Sequence, residues 1–122
     1  MAKGSVLKDK KIIIYKAVYT ENEIGEQIAK YQPIHPGKLW AYVRQLSAKE
    51  YFAAAAAQNT EEMLFTVNWR PDINPHMYIE YKGRWYNIER VDTFEGYKEN
   101  LHLHASEMTH APGASDIIPY GE

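Results

Sequence analysis

The sequence predicts a mainly β fold, a small closed or partly open β-barrel of about six strands with one short α-helix inserted after the strand that contains Trp40. Apolar and polar residues alternate in short runs from Leu39 to Met108, as expected of strands with one buried face. This alternation is interrupted once, by a capped stretch rich in alanine. Short returns such as Lys82-Gly83 join neighbouring strands, and closing the sheet into a barrel removes its exposed edges.

Two strands are predicted before the alternating region. The run from Lys10 to Tyr19 is rich in isoleucine and tyrosine, and the polar, glycine-containing stretch from Thr20 to Glu26 predicts a turn. A weaker strand is predicted from Gln27 to Ile34. It gives way at Pro36-Gly37 to an open connection, since proline lacks the backbone donor that a central strand needs.

The helix is predicted from its own start signal. A strand from Leu39 to Leu46 runs into Ser47-Ala48-Lys49-Glu50, which has the form of a capping box. In this arrangement the Ser47 hydroxyl accepts from the N–H of Glu50, while the Glu50 carboxylate accepts from the N–H of Ser47. A helix to about Gln58 is expected to follow.

The helix offers candidate residues for contact with another subunit. Its aromatic pair, Tyr51 and Phe52, can plug a barrel end, and the alanines from Ala53 to Ala57 permit close packing against a neighbour. High helix propensity explains the alanines equally well. The predicted subunit-interface residues are Tyr51, Phe52, Ala54 and Ala55.

Four further strands follow the helix, and their alternation assigns side chains to faces. They are predicted at Met63 to Arg70, Met77 to Tyr81, Trp85 to Val91 and Leu101 to Ala105. One face of the resulting sheet is dry and the other is mixed.

Length and composition limit the class of protein. With 122 residues, the chain is expected to form a single β-barrel domain over residues 1–108, with its core motif region at 39–108 and a flexible tail at 109–122. Fourteen basic and 16 acidic residues give a formal charge of −2, which disfavours general nucleic-acid binding. The chain has no cysteine, which excludes disulfides and thiolate metal sites and favours folding in a cytosol. The sequence contains no apolar run of the length that a signal peptide or a membrane span needs, so we expect neither a signal peptide nor a membrane partner.

Tyrosine is unusually frequent, with ten copies beside three tryptophans and three phenylalanines. Tyrosine suits protein interfaces because it supplies a large rigid ring with one polar end. Aromatic residues are also common in strands, and the two explanations are compatible.

Catalytic and metal-binding patterns are weak. His102 and His104 share a strand face and could bind zinc with His110, His35 or His76, but strand histidines of this kind usually face solvent. Adjacent carboxylates such as Glu61-Glu62 point to opposite faces of an extended chain, and Asp92 with Glu95 is expected to lie in a polar loop. The sequence contains no glycine-rich phosphate loop and no serine-hydrolase elbow. We therefore expect no enzymatic activity, no metal and no cofactor.

A barrel that binds single-stranded nucleic acid is the alternative. Bases would stack on aromatic residues beside arginines that contact the backbone. The aromatic candidates are Trp69, Tyr78, Trp85 and Tyr86, and the arginines are Arg70, Arg84 and Arg90. Acidic residues between them nearly cancel the local charge, which weakens this interpretation.

The order of elements and several local motifs resemble the phage head-tail joining proteins, a family of small head-closure, stopper or adaptor subunits. The resemblance covers residues 39 to 108, with weaker support from Lys11 to Tyr19. The residues that carry it are Trp40-Ala41 with Val43, Lys49-Glu50, Val67-Asn68-Trp69-Arg70-Pro71-Asp72-Ile73, Gly83-Arg84-Trp85-Tyr86-Asn87-Ile88, and Leu101-His102-Leu103 before Glu107.

This resemblance implies a virion structural protein, assembled in a bacterial host cytoplasm into a ring at the head–tail connector. The implied partners are other copies of the chain, a portal or adaptor protein, a tail completion or tail tube protein, and double-stranded DNA in the channel. An isolated subunit can be monomeric if the ring needs its portal as a template. Relatives use channel loops to retain DNA, and we expect this role from Asp72 to His76 and Thr93 to Asn100. The predicted contact residues in these loops are Asp72, Asn74, His76, Phe94, Tyr97 and Lys98.

Overall fold

The computed structural model describes residues 7–56, 62–93 and 98–121, without the side chain of Ala54. Its elements in chain order are β1 (Lys10–Glu21), β2 (Gln27–Pro33), β3 (Leu39–Gln45), α1 (Ala48–Ala56), β4 (Met63–Asn68), β5 (Tyr78–Tyr81), β6 (Arg84–Asp92), β7 (Asn100–Glu107) and a 3-10 turn (Ala114–Asp116). Two predicted loop residues, Phe94 and Tyr97, lie outside the described residues.

Six of the seven strands close into an antiparallel barrel. The strands follow the order β2-β1-β3-β4-β7-β6-β5, and a further pairing of β1 with β5 completes the circle. Strand β2 stays outside and pairs with β1 alone among the strands. The predicted mainly β fold with a barrel and one short helix is confirmed.

The long first strand belongs to two structures at once. Residues 10–12 pair with β3 and residues 13–15 pair with β5, so the first half of β1 closes the barrel. From Tyr15 to Glu21 the strand pairs with β2. These residues and β2 form a two-stranded arm, which meets the barrel through aromatic contacts: Tyr15 lies 4.5 Å from Trp85 between ring centroids, and Tyr31 lies 5.0 Å from Tyr78.

The core fills the barrel interior with the apolar positions that the alternation predicts. Its members include Ile12, Ile14, Phe65, Ile79 and Leu103, each with 0% exposure. In β4 the outward-facing Thr66 is also buried. It is flanked in register by Tyr42 and His102, and its hydroxyl lies 3.1 Å from His102 Nδ1. The mixed face is therefore drier at its centre than the alternation alone indicates.

The β5–β6 return is a tight hairpin. Tyr81 pairs with Arg84, and the two residues between them, Lys82 and Gly83, both have positive φ, at 52° and 77°. This is the turn whose twist matches that of the flanking strands. Among the described residues, no helix is long and apolar enough to cross a membrane.

Residues 115–119 lie against β2 of the arm. Ile117 forms a parallel bridge with Tyr31, and the N–H of Ile118 donates to the Tyr31 carbonyl at 2.9 Å. No local pattern in the sequence predicts that β2 is the partner of this segment, because the two lie far apart along the chain. Flexibility of this segment in solution stays a prediction.

Candidate contact surfaces at the two ends of the barrel

The strand directions place three connections at one end of the barrel, called here the loop end. They are the β2–β3 connection (34–38), the β4–β5 connection (69–77) and the described parts of the β6–β7 connection (93 and 98–99). At this end the N–H of Trp69 donates to the Glu99 carbonyl at 3.1 Å. The Lys98 ammonium lies 5.1 Å from the centre of the Trp69 ring. The structure thus brings the β4–β5 and β6–β7 connections together. Of the residues that make these contacts, Lys98 was a predicted contact residue, whereas Trp69 and Glu99 were not.

His35 secures the loop end from inside. Its exposure is 2%, and its Nε2 accepts a hydrogen bond from the N–H of Ile14 at 3.1 Å. The Nδ1 atom lies 3.4 Å from the Pro36 carbonyl, which is consistent with a neutral ring protonated at Nδ1. Burial lowers the pKa of His35, chiefly because desolvation disfavours the charged ring. The sequence offered this histidine as a metal candidate, and the structure gives it a backbone partner.

The β4–β5 loop is anchored at its start and exposed at its tip. The Arg70 guanidinium donates two hydrogen bonds to the Asp72 carboxylate, at 3.0 and 2.8 Å, and this pairing lowers the pKa of Asp72. Ile73 is buried with 5% exposure, whereas Asn74 and His76 are exposed. Asp72 is therefore held by an internal ion pair, and the tip is the part of the loop that is free to contact another molecule.

The opposite end, called here the helix end, carries α1, the Lys82-Gly83 turn and the last residues of β7. A groove of about 670 Å³ lies between the helix and the barrel. Its apolar lining comes from Leu46, Tyr51, Phe52, Met63, Tyr81 and Tyr86. Charged residues also line this groove. Two of them form an ion pair, in which an Arg84 guanidinium nitrogen lies 3.5 Å from Glu107 Oε1.

The start of α1 is held by a local network. The N–H of Ser47 donates to Glu50 Oε1 at 2.8 Å, and the N–H of Glu50 donates to Ser47 Oγ at 3.2 Å, so the predicted capping box is confirmed. Arg44 also donates two hydrogen bonds to the Glu50 carboxylate, at 2.8 and 2.9 Å. These partners lower the pKa of Glu50 to about 2, with Arg44 the largest cause. The role of Arg44 was missed because a strand residue six positions before its partner follows neither helix nor strand periodicity.

The side chains of α1 face solvent. Every described helix residue except Glu50 is exposed, and α1 contributes no side chain to the core as described. Tyr51 has 47% exposure and Phe52 has 69%, with their rings 5.7 Å apart. The expectation that this aromatic pair plugs the barrel end is wrong, because both side chains are largely exposed and neither belongs to the core. Tyr51, Phe52 and Ala55 are instead available on the surface.

Two of the four aromatic candidates for base stacking are buried, and the two strand histidines lie against other side chains. Trp85 and Tyr86 are each 5% exposed, so neither offers a ring face on which a base could stack. His102 Nδ1 lies 3.1 Å from the Thr66 hydroxyl, and His104 Nε2 lies 3.1 Å from Asp92. Across the described residues, no group of three or more histidine, aspartate or glutamate side chains is placed to hold a metal ion.

The fold and its two ends define a small closed-barrel protein with exposed aromatic residues at one end and anchored loops at the other. A family model described as phage head completion protein matches residues 8–108. The chain belongs to this family, which confirms the resemblance seen in the sequence. It is accordingly a phage structural protein that assembles with other virion proteins.

Two solved structures share the fold. One is the solution structure of protein SF1141 from Shigella flexneri 2a, with a TM-score of 0.68 and 23% identity over 84% of this chain and 94% of that one. The other is a chain in the virion of a native gene transfer agent particle, with a TM-score of 0.55 and 18% identity over 84% of this chain and 96% of that one. No curated protein matches the sequence.

Proposed function

We propose that the protein forms a ring at the head–tail connector, where it joins the portal or adaptor to the tail and helps to retain packaged DNA. The observation that carries this proposal is the exposure of Tyr51 and Phe52 on a helix anchored at its first turn. Family membership supports a role in the virion. The work of such a subunit is geometric, and no catalytic step is proposed for it.

The helix end fits the contact between neighbouring subunits. A ring forms when one surface binds a different surface of the next copy and the rotation closes. Aromatic side chains supply large rigid area at low entropic cost, which suits them to the centre of such a contact. The anchored first turn holds Tyr51 and Phe52 in place before the neighbour arrives, so less ordering is needed on binding.

The loop end fits the contact with DNA or with an axial partner. Its exposed tip at Asn74 and His76 stands on the buried Ile73, and Lys98 is exposed on the adjoining loop. An exposed tip on a rigid base can reach a partner without disturbing the barrel. Phe94 and Tyr97 stay predicted contacts from the sequence alone.

The test is assembly of the full chain with its portal and adaptor, followed by electron microscopy. We expect a ring added to the lower end of the portal. Phe52→Ser should abolish assembly of the subunits into a ring. The free energy of unfolding of the isolated subunit should stay unchanged, because the aromatic side chain of Phe52 is exposed. Ile24→Ser is the matched control, since Ile24 is a similarly exposed apolar residue, at 78%, on the tip of the arm. A subunit that does not bind the portal but binds single-stranded DNA in a salt-sensitive manner would overturn the proposal.

A second variant separates the loop end from the ring. Asn74→Ala with His76→Ala should leave ring formation intact but reduce DNA retention or tail joining. Virions that complete assembly and keep their DNA with this variant would exclude the β4–β5 tip as the contact.

A further inference from the structure

The outer edge of β2 is occupied by the end of the same chain. Strand β2 pairs with β1 on one side only. Without the end of the chain, its other edge would present unpaired backbone groups. Residues 115–119 lie along this edge in parallel, through the bridge between Tyr31 and Ile117. We call the edge formed by Lys30, Tyr31 and Gln32 the strand seat. Residues 115–119, which comprise the last two residues of the 3-10 turn and the segment after it with its single bridge at Ile117, are called the tail strand.

The strand seat grips the tail strand by its backbone. Lys30 Nζ donates to the Ser115 carbonyl at 3.0 Å, and Gln32 Nε2 donates to the Pro119 carbonyl at 3.0 Å. Between them the Tyr31 carbonyl accepts from the N–H of Ile118 at 2.9 Å. Gln32 is 6% exposed, so its amide is a buried polar group aimed at the tail strand. One of these bonds, from Ile118 to Tyr31, is the main-chain bond by which a sheet edge receives an added segment, and the Lys30 and Gln32 side chains supply the other two.

The side chains add recognition of this particular strand. Ile117 and Ile118 are half-buried against the seat, in a segment that is otherwise mostly exposed. The Lys30 ammonium also lies 3.8 Å from Asp116 Oδ1. Every copy of the chain carries both the seat and a strand that fits it.

The segment that leads to the tail strand has the character of a hinge. After Met108, whose N–H donates to the Trp85 carbonyl, residues 109–113 contain Pro112 and Gly113 and are mostly exposed. Five extended residues span at most about 17 Å, which allows a change of direction from one copy to an adjacent one.

We infer that the strand seat is an exchange site whose occupant in the assembled ring is the tail strand of a second copy of this chain. The inference deepens the proposed connector role and rests on it for the place where exchange occurs. Exchange replaces each contact with an identical one, so little free energy is lost when the tail strand moves. In a dilute subunit the chain's own tail strand occupies the strand seat, because its effective concentration there is high. In the ring, the tail strand of the neighbouring copy is held close to the seat as well.

The Lys30–Asp116 pair allows a direct test on the unmodified full chain. Subunits in natural isotopic form and ¹⁵N-labelled subunits are mixed in equal amounts, assembled with portal and adaptor, and treated with a zero-length carbodiimide cross-linker. Mass spectrometry then determines whether cross-linked peptides containing residues 30 and 116 carry the same label or different labels. With exchange, about half of these cross-links should join a labelled peptide to an unlabelled one, since neighbours in the ring are random. The dilute subunit without portal should give only same-label cross-links, because its tail strand lies on its own strand seat.

A control variant and a second arm make every outcome decisive. Asp116→Asn removes the carboxylate but keeps an oxygen to accept from the N–H of Gly113, and it should eliminate the cross-link. The second arm needs no portal: the mixed subunits are refolded from urea at low and at high concentration, and mixed-label cross-links should appear only at high concentration.

The outcomes distinguish this inference from the proposed function. Rings on the portal with same-label cross-links only would overturn the exchange and leave the connector role standing. Failure to form rings, with mixed labels after concentrated refolding, would overturn the connector role and support the exchange. Same-label cross-links in both arms, or a cross-link from Lys30 to another virion protein in place of Asp116, would overturn the second copy as occupant.

Discussion

The loop end and the helix end use polar contacts for different purposes. At the loop end, a buried histidine and a buried isoleucine tie the connections into the barrel, so that polar contacts there belong to the fold itself. At the helix end, the capping box and Arg44 hold one turn of α1, while the described helix side chains other than Glu50 stay exposed. The buried contacts that join connections to the barrel therefore lie at the loop end, while the exposed aromatic surface lies at the helix end.

The largest expected effect is at His35. His35→Leu leaves the buried N–H of Ile14 without its acceptor, and the cost should be about 1–3 kcal/mol of the free energy of unfolding. Urea denaturation followed by tryptophan fluorescence measures this change. His110→Leu is the control, because His110 is exposed and the substitution should change stability by less than about 0.5 kcal/mol. Equal effects of the two variants would contradict the structural role of His35.

Acid should affect the two ends in sequence. The pKa of His35 is lowered on folding, so the unfolded chain binds a proton first, and stability should decline as the pH falls below about 6.5. The pKa of Glu50 is lowered to about 2, so its contribution is present above the ordinary glutamate range and is lost only as the pH falls toward 2.

Urea denaturation at several pH values, combined with the far-UV signal of the helix, follows both losses. His35→Gln should flatten the dependence between pH 7.5 and 5.5, and Glu50→Gln should leave that range unchanged. A slope in this range that survives His35→Gln would assign it to another group.

A smaller and more local effect is expected at the helix cap. Ser47→Ala should cost about 1 kcal/mol, through loss of the hydroxyl that accepts from the N–H of Glu50. The described helix side chains lie outside the core, so the variant should lower helical circular dichroism more than the midpoint of global unfolding. Ser115→Ala, away from the helix, is the control. A full shift of the global midpoint with unchanged helicity would show that α1 unfolds together with the barrel.

The smallest effect is expected where Lys98 covers Trp69. Lys98→Ala should cost about 0.5–1 kcal/mol, because cation–π contacts of exposed lysines are weak. Lys11→Ala is the matched control, since Lys11 lies 4.8 Å from the Trp40 ring, outside both ends. A change in fluorescence for Lys98→Ala without a loss of stability would show that this contact positions the ring without stabilising the loops.

Much of the barrel was predictable because strand periodicity is local. The strands from β3 to β7 begin and end within two residues of their predicted bounds, and the capping box forms with the partners that its spacing implies. The candidate surfaces were less predictable. Exposure of Tyr51 and Phe52 depends on the direction that α1 takes from the barrel, and the meeting of Trp69 with Lys98 depends on how two distant loops close.

The strand alternation, the start of the helix and the Lys82-Gly83 turn follow from local residue patterns, because each depends on residues within a few positions of one another. Three other contacts arise only when the chain folds: β1 pairs with β5 to close the barrel, His35 accepts from the N–H of Ile14, and Gln32 donates to the Pro119 carbonyl. Each of these contacts joins residues more than 20 positions apart, and no local periodicity records which distant groups will meet when the sheet closes.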